Sequence, residues 1–188
     1  MGHDMIETLY QTKLSVFTFK DIALLLKESN INALKSKINY YVQVHKIKQV
    51  RKGIYCLPDF NTEELACKLY APTYISLEYV LQKEGVIFQY QESITSLCPL
   101  SRTVVMDEKT YVYRKIKNEI LFNMIGITRV GNKSIASKER AILDTLYMNK
   151  DFHFDNILNI DKALINELLM KVYCSQALTG RAKRILNV

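Results

Sequence analysis

Several things this chain has little of narrow its chemistry. Six glycines in 188 residues, none clustered, leave no Gly-rich loop to cradle a nucleotide's phosphates. The four cysteines, Cys56, Cys67, Cys98 and Cys174, lie far apart with no CxxC pair, so reduced, mostly buried thiols are expected over a metal or disulfide role. Of the three histidines, His3 and His153 have no partners at ligand spacing, and His45 falls on an apolar helical stripe, as a packed histidine would. No cofactor or metal is implied. No apolar run approaches the length of about 18 residues that suggests a membrane span. The start, MGHDMIETLY, lacks a signal-peptide pattern, so a cytoplasmic protein without membrane contact is expected. There is no repeat and no low-complexity segment.

The most telling absence is local. The stretch Asn30 to Pro58, NINALKSKINYYVQVHKIKQVRKGIYCLP, contains no Asp or Glu, yet it holds Lys35, Lys37, Lys46, Lys48, Arg51 and Lys52 in a chain of net charge +7. Such a segment suits a polyanion.

Its patterning adds a shape. Leu34, Ile38, Tyr41, Val42 and His45 recur at helical spacing and would bury one face of a helix starting near Asn30 or Asn32. The opposite face carries Asn32, Ser36, Asn39, Tyr40 and Gln43 with Lys35 on its flank, side chains able to bond base edges and phosphates. Ile47 to Arg51 and Ile54 to Leu57 then read as two short strands joined by Lys52-Gly53, with Gly53 at positive φ. Upstream, Ile6, Leu9 and Tyr10 mark one face of a first helix. Thr18 caps a second that buries Phe19, Ile22, Ala23 and Leu26. Helix, helix, turn, helix, hairpin is winged helix-turn-helix order, and it makes the third helix the candidate for the major groove.

Beyond Pro58-Asp59, a helical stretch from about Thr62 to Tyr70 is expected to link two domains, residues 1–60 and 61–188. Next, Ser76 is a candidate N-cap for a helix lined by Leu77, Val80 and Leu81 and stopped by Gly85. Strand patterns follow at Ile94 to Cys98, Arg102 to Met106, Thr110 to Ile116 and Leu121 to Thr128, with a turn at Asp107-Glu108-Lys109. Ser137 precedes a helix burying Ile142, Leu143, Leu146 and Tyr147. Asp161 starts another with Leu164, Leu168, Leu169 and Val172 inward, and a last helix runs from about Ser175 to Leu186. The fold class expected is α+β: the winged helix-turn-helix, then a small, mostly antiparallel sheet packed with helices.

Taken together, VRKGIYCLP, LYAPTYISLEYVLQKEGVI and IASKERAILDTLY resemble the AbiE-type (AbiEi) antitoxins of bacterial abortive-infection systems, over roughly residues 15 to 150. The most specific pieces are PTYISLEYVLQKEG and IASKERAILD, where this chain has Thr73 for the family's Ser and Arg140 for its Lys. The resemblance implies a winged helix that binds inverted repeats in its own promoter and represses it. It also implies a second domain that counteracts a nucleotidyltransferase toxin without necessarily forming a stable complex with it.

Catalysis has thinner support. Asp107 and Glu108 look like turn residues, and Glu139 suits the first turn of a helix. Asp144, five residues on, lies about 140° round that helix, a poor arrangement for sharing a metal. The expectation is a binding protein and no enzyme. Asn32, Ser36, Asn39, Tyr40 and Gln43 would enter the major groove of duplex DNA, Lys35, Lys46 and Lys48 would contact its backbone, and Arg51 with Lys52 at the wing tip would reach phosphate or an adjacent minor groove. A monomer or dimer would pair on the inverted repeat. Two alternatives stay open: an interaction module gripping protein or RNA, and a metal-dependent nuclease.

Overall fold

The computed structural model describes residues 4–186, so His3 lies outside the described residues. The chain divides into two compact units, Met1–Leu69 and Tyr70–Val188.

The first unit runs α1 (Met5–Gln11), β1 (Val16–Thr18), α2 (Phe19–Leu26), α3 (Ile31–Gln43), β2 (Lys48–Arg51), β3 (Ile54–Cys56) and α4 (Thr62–Leu69). Its three strands form an antiparallel sheet in the order β1-β3-β2. With the helices this is a winged helix-turn-helix. Local chemistry sets the helix starts. Thr18 and Asp21 form a reciprocal capping box on α2, and the Asn30 side chain accepts the amides of Asn32 and Ala33 at the start of α3. Gly53, at φ +79°, turns the wing. Met5, Leu9, Phe17, Ile22, Leu34, Ile38, Ile47, Tyr55 and Leu57 make one buried cluster.

Three expectations for this unit change. The inward face of α1 is Met5 and Leu9, while Tyr10 is 54% exposed. His45 is exposed at φ +56°, because α3 ends at Gln43 and the chain turns left-handed two residues later, swinging the imidazole off the apolar stripe. The stretch expected to link the domains, α4, is built into the first unit, so the boundary falls after Leu69 instead of residue 60. Its Glu64 is buried against the backbone of Ser15 and Val16, and its Lys68 pairs with Asp21 at 2.9 Å.

The second unit adds β4 (Tyr74–Ile75), α5 (Glu78–Lys83), β5 (Ile94–Cys98), β6 (Arg102–Met106), β7 (Lys109–Lys115), α6 (Asn118–Leu121), β8 (Ile127–Val130), β9 (Lys133–Ala136), α7 (Lys138–Met148), α8 (Lys162–Leu168), a π-helical turn (Leu169–Tyr173) and α9 (Gln176–Leu186). The sheet order is β6-β7-β5-β4-β9-β8. It is mixed, where a mostly antiparallel sheet was expected: β5 runs parallel to β7 and β4 parallel to β9. Helix α7 is the centre of the unit, with every residue from Glu139 to Leu146 buried, and Ser137, expected just before this helix, caps it. Gly126, at φ +72°, lets the backbone approach α7 so closely that an added Cβ would meet the Arg140 Cβ at 3.1 Å. The stretch Leu121 to Thr128, expected as one strand, is divided between the end of α6, a turn and the start of β8.

Ser76 does not cap α5. Leu77 occupies that position at φ +61° and ψ −143° with no side-chain cap, and the Ser76 hydroxyl turns inward to Asp144 at 2.8 Å. The conformation, costly for a branched residue, is fixed by neighbours on either side. Thr95 Oγ1 donates to the Ser76 carbonyl at 2.6 Å and accepts the Tyr79 amide at 3.0 Å. Among the described residues, no helix is long and apolar enough to cross a membrane.

Candidate nucleic-acid interface

Helix α3 holds its amphipathic division because Leu34 and Ile38 are driven into the core one turn apart, which fixes the opposite side outward. At about 100° per residue, Asn32, Lys35, Ser36, Asn39, Tyr40 and Gln43 fall within an arc of about 140°. All six are exposed. The helix contains no carboxylate, so this face offers amide, hydroxyl and ammonium groups to whatever approaches.

The remaining basic residues divide. Lys46 is exposed just beyond α3, and Lys52 is exposed at the wing tip beside Gly53. Lys48 is exposed too, but its Nζ sits 5.9 Å from the centre of the Phe60 ring. Arg51 Nη1 donates to the Leu69 carbonyl at 3.2 Å, at the end of α4 where helix carbonyls lack partners. The structure thus brings six of the ten expected residues onto one helical face, sets Lys46 and Lys52 beside the helix end and at the wing tip, and engages Lys48 and Arg51 with the unit itself.

Tyr41 is half-buried, and its phenol reaches out of the stripe it was expected to bury in. Its hydroxyl donates to the Asp4 carboxylate. That carboxylate also caps α1, accepting the Ile6 amide at 3.3 Å. The Tyr41 bond and the Ile6 amide hold the Asp4 carboxyl below its usual range, with Lys37 and Lys46 adding to the effect. The same bond pushes the Tyr41 phenol up to about 12. Sequence spacing assigned Tyr41 by periodicity alone; the usable signal was that a tyrosine at the border of an apolar stripe keeps a polar tip for a partner.

A second polar cluster, in the second unit, contains the carboxylate weighed for catalysis. Asp144 has no exposure and accepts hydroxyls from Tyr173 at 2.6 Å, Ser76 at 2.8 Å and Tyr74 at 3.1 Å. Arg140, equally buried, places Nε 3.6 Å from Asp144 Oδ1 and donates through Nη2 to the Ile120 carbonyl at 2.8 Å and through Nη1 to the Ile125 carbonyl at 3.0 Å. Its guanidinium lies 5.4 Å from the ring centres of both Tyr74 and Tyr173. Complete burial pushes the Asp144 carboxyl up, against the pull of Arg140 and the three hydroxyls. Burial likewise pushes the Tyr74 and Tyr173 phenols up, with the Asp144 charge adding to it. Glu139, the other acid weighed, accepts the Asp161 amide at 3.1 Å. Both carboxylates are committed to internal donors, and no group of three His, Cys, Asp or Glu among the described residues could hold a metal ion. The cluster ties β4, α7 and the π-helical turn together.

No protein-family model matches this chain, and no curated protein matches it. Among solved structures, the crystal structure of the Rv2827c protein from Mycobacterium tuberculosis is similar, with a TM-score of 0.53 at 12% identity, covering 97% of this chain and 74% of that one. The likeness is one of fold.

Proposed function

We propose that this protein binds duplex DNA through the winged helix and represses transcription from its own promoter, acting as the antitoxin of an abortive-infection toxin-antitoxin pair. The observation that carries the reading is the outward face of α3: Asn32, Ser36, Asn39, Tyr40 and Gln43, flanked by Lys35, on a helix without an acid in a winged helix-turn-helix. Amides and hydroxyls of this kind read base edges, while Lys35, Lys46 and Lys52 neutralise phosphate. Arg51 and Lys48 join them by leaving their internal partners.

One winged helix reads a short half-site, so two copies on an inverted repeat give the specificity a promoter needs. The antitoxin role rests on the resemblance of PTYISLEYVLQKEG and IASKERAILD to the AbiE-type antitoxins. Its functional partner is a nucleotidyltransferase-type toxin, which it counteracts without necessarily forming a stable complex and without catalysis or cofactor.

The test is a gel-shift titration on the protein's own upstream region against a scrambled duplex of equal length, at two salt concentrations. Preference for the upstream DNA that falls steeply with salt, with a slope near minus five for about five or six phosphate contacts, supports the reading. Equal, weak binding to both duplexes sinks it. Co-expression with an adjacent nucleotidyltransferase then tests the antitoxin role.

A further inference from the structure

Resting on the DNA-reading face just described, we infer that Tyr41, pinned by Asp4, is a positioning residue that sets the orientation of Tyr40 in the major groove and thereby the sequence preference of the protein. Tyr40 is 58% exposed on the outward face of α3. A phenol so exposed has several staggered orientations open to it, and each aims its hydroxyl at a different point. The structure restricts that choice from one side. The rings of Tyr40 and Tyr41 meet edge to face, with centres 5.4 Å apart and planes at 72°, a geometry the aromatic quadrupoles favour.

Tyr41 can serve as the fixed partner because it is held at both ends. Its ring packs on the unit's buried cluster, and its hydroxyl is bound to Asp4. Asp4 is itself fixed at the head of α1, where its side chain takes the Ile6 amide and its carbonyl takes the Thr8 amide at 3.0 Å. A chain of contacts therefore runs from the first helix through Asp4 and Tyr41 to a side chain on the reading face. An acid beside Lys37 and Lys46 weakens a phosphate-binding surface electrostatically. Its place there is accounted for if what it gains is orientation.

The two effects of Asp4 separate in experiment. Tyr41→Phe removes the hydroxyl and leaves both the ring and the Asp4 charge. Asp4→Asn removes the charge and weakens the link, while an Asn still caps α1. Binding to the upstream duplex and to the scrambled duplex is measured for the full chain and for Tyr41→Phe, Asp4→Asn, Tyr40→Ala and the double variant Tyr40→Ala/Tyr41→Phe, with the melting temperature of each. The expected result is that Tyr41→Phe lowers the ratio of upstream to scrambled affinity about fivefold, the worth of one modest hydrogen bond, with scrambled affinity and melting temperature nearly unchanged. Asp4→Asn lowers the same ratio while raising affinity for both duplexes. In the Tyr40→Ala background, Tyr41→Phe has no further effect on the ratio.

An unchanged ratio in Tyr41→Phe, or an effect that adds fully to that of Tyr40→Ala, overturns the inference while the DNA-reading function stands. A wild-type protein that shows no preference for its upstream DNA overturns the function itself, and the inference with it.

Discussion

Glu64 holds Ser15 by two of its donors: one carboxylate oxygen accepts the Ser15 amide at 2.8 Å and the Ser15 hydroxyl at 2.9 Å, and takes the Val16 amide at 3.2 Å as well. The first strand of the winged helix is thus anchored by a helix that follows the wing. Glu64→Ala would leave three donors without their acceptor and is expected to lower stability by about 3 kcal/mol, whereas Ser15→Ala removes one of them together with the acceptor of the Asn61 amide and costs about 2 kcal/mol. Thermal melts of the two variants check the ranking.

The reading face and the wing tip make separable contributions. Asn39→Ala is expected to cost about 1–3 kcal/mol against one base pair of the operator and leave binding to scrambled DNA unchanged. Lys52→Ala is expected to weaken binding to every duplex alike and to reduce the salt slope by about 0.9. Titrations over a panel of single-base operator variants at several salt concentrations distinguish the two patterns.

Acid should loosen the start of α2. Partial burial of Asp21 favours its neutral form, but the Thr18 amide, Lys68 and the Thr18 hydroxyl outweigh it and hold the carboxyl below its ordinary 3.8. A carboxylate with a depressed folded-state value contributes stability above the unfolded value that is lost as pH falls through the folded one. The melting temperature of the wild-type protein should therefore drop faster below about pH 4 than that of Asp21→Asn. The two should run parallel at neutral pH, offset by the lost interaction.

Breaking the Arg140 cluster should be the most damaging single change in the second unit. Arg140→Leu leaves Asp144 as a buried, uncompensated charge and the Ile120 and Ile125 carbonyls without donors, for an expected loss of about 3–5 kcal/mol. Chemical denaturation measures it. Adding Asp144→Leu removes the unpaired charge but leaves the Tyr173, Ser76 and Tyr74 hydroxyls without their acceptor, so the double variant should recover little of the loss.

What was legible in the sequence was local. Thr18, Ser137 and Asp161 cap the helices their positions announced, because a cap bonds amides two or three residues away. The turn at Asp107 and Glu108 was legible for the same reason, and both residues take positive φ there. The failures are long-range. Strands β1 and β4 are three and two residues long, and their pairing with remote segments leaves no periodicity to read. Ser76 has the composition of a cap, and only its distant hydrogen bond to Asp144 shows otherwise. On the candidate interface, the outward face of α3 could be read from spacing, but the attachment of Arg51 to Leu69 and of Tyr41 to Asp4 could not.

The buried cluster around Asp144 has a bearing on how the second unit comes to exist. Its members come from residues 74, 76, 140, 144 and 173, so the acceptor and its hydroxyl donors are separated by up to 70 positions in the chain. No fragment that stops short of Tyr173, 29 positions beyond Asp144, can satisfy that carboxylate fully. A half-assembled unit would carry a dehydrated charge with its partners missing, a state penalised in free energy. The unit is thereby disposed to form in one cooperative step once its C-terminal helices are present, slowed by the distance its contacts must span.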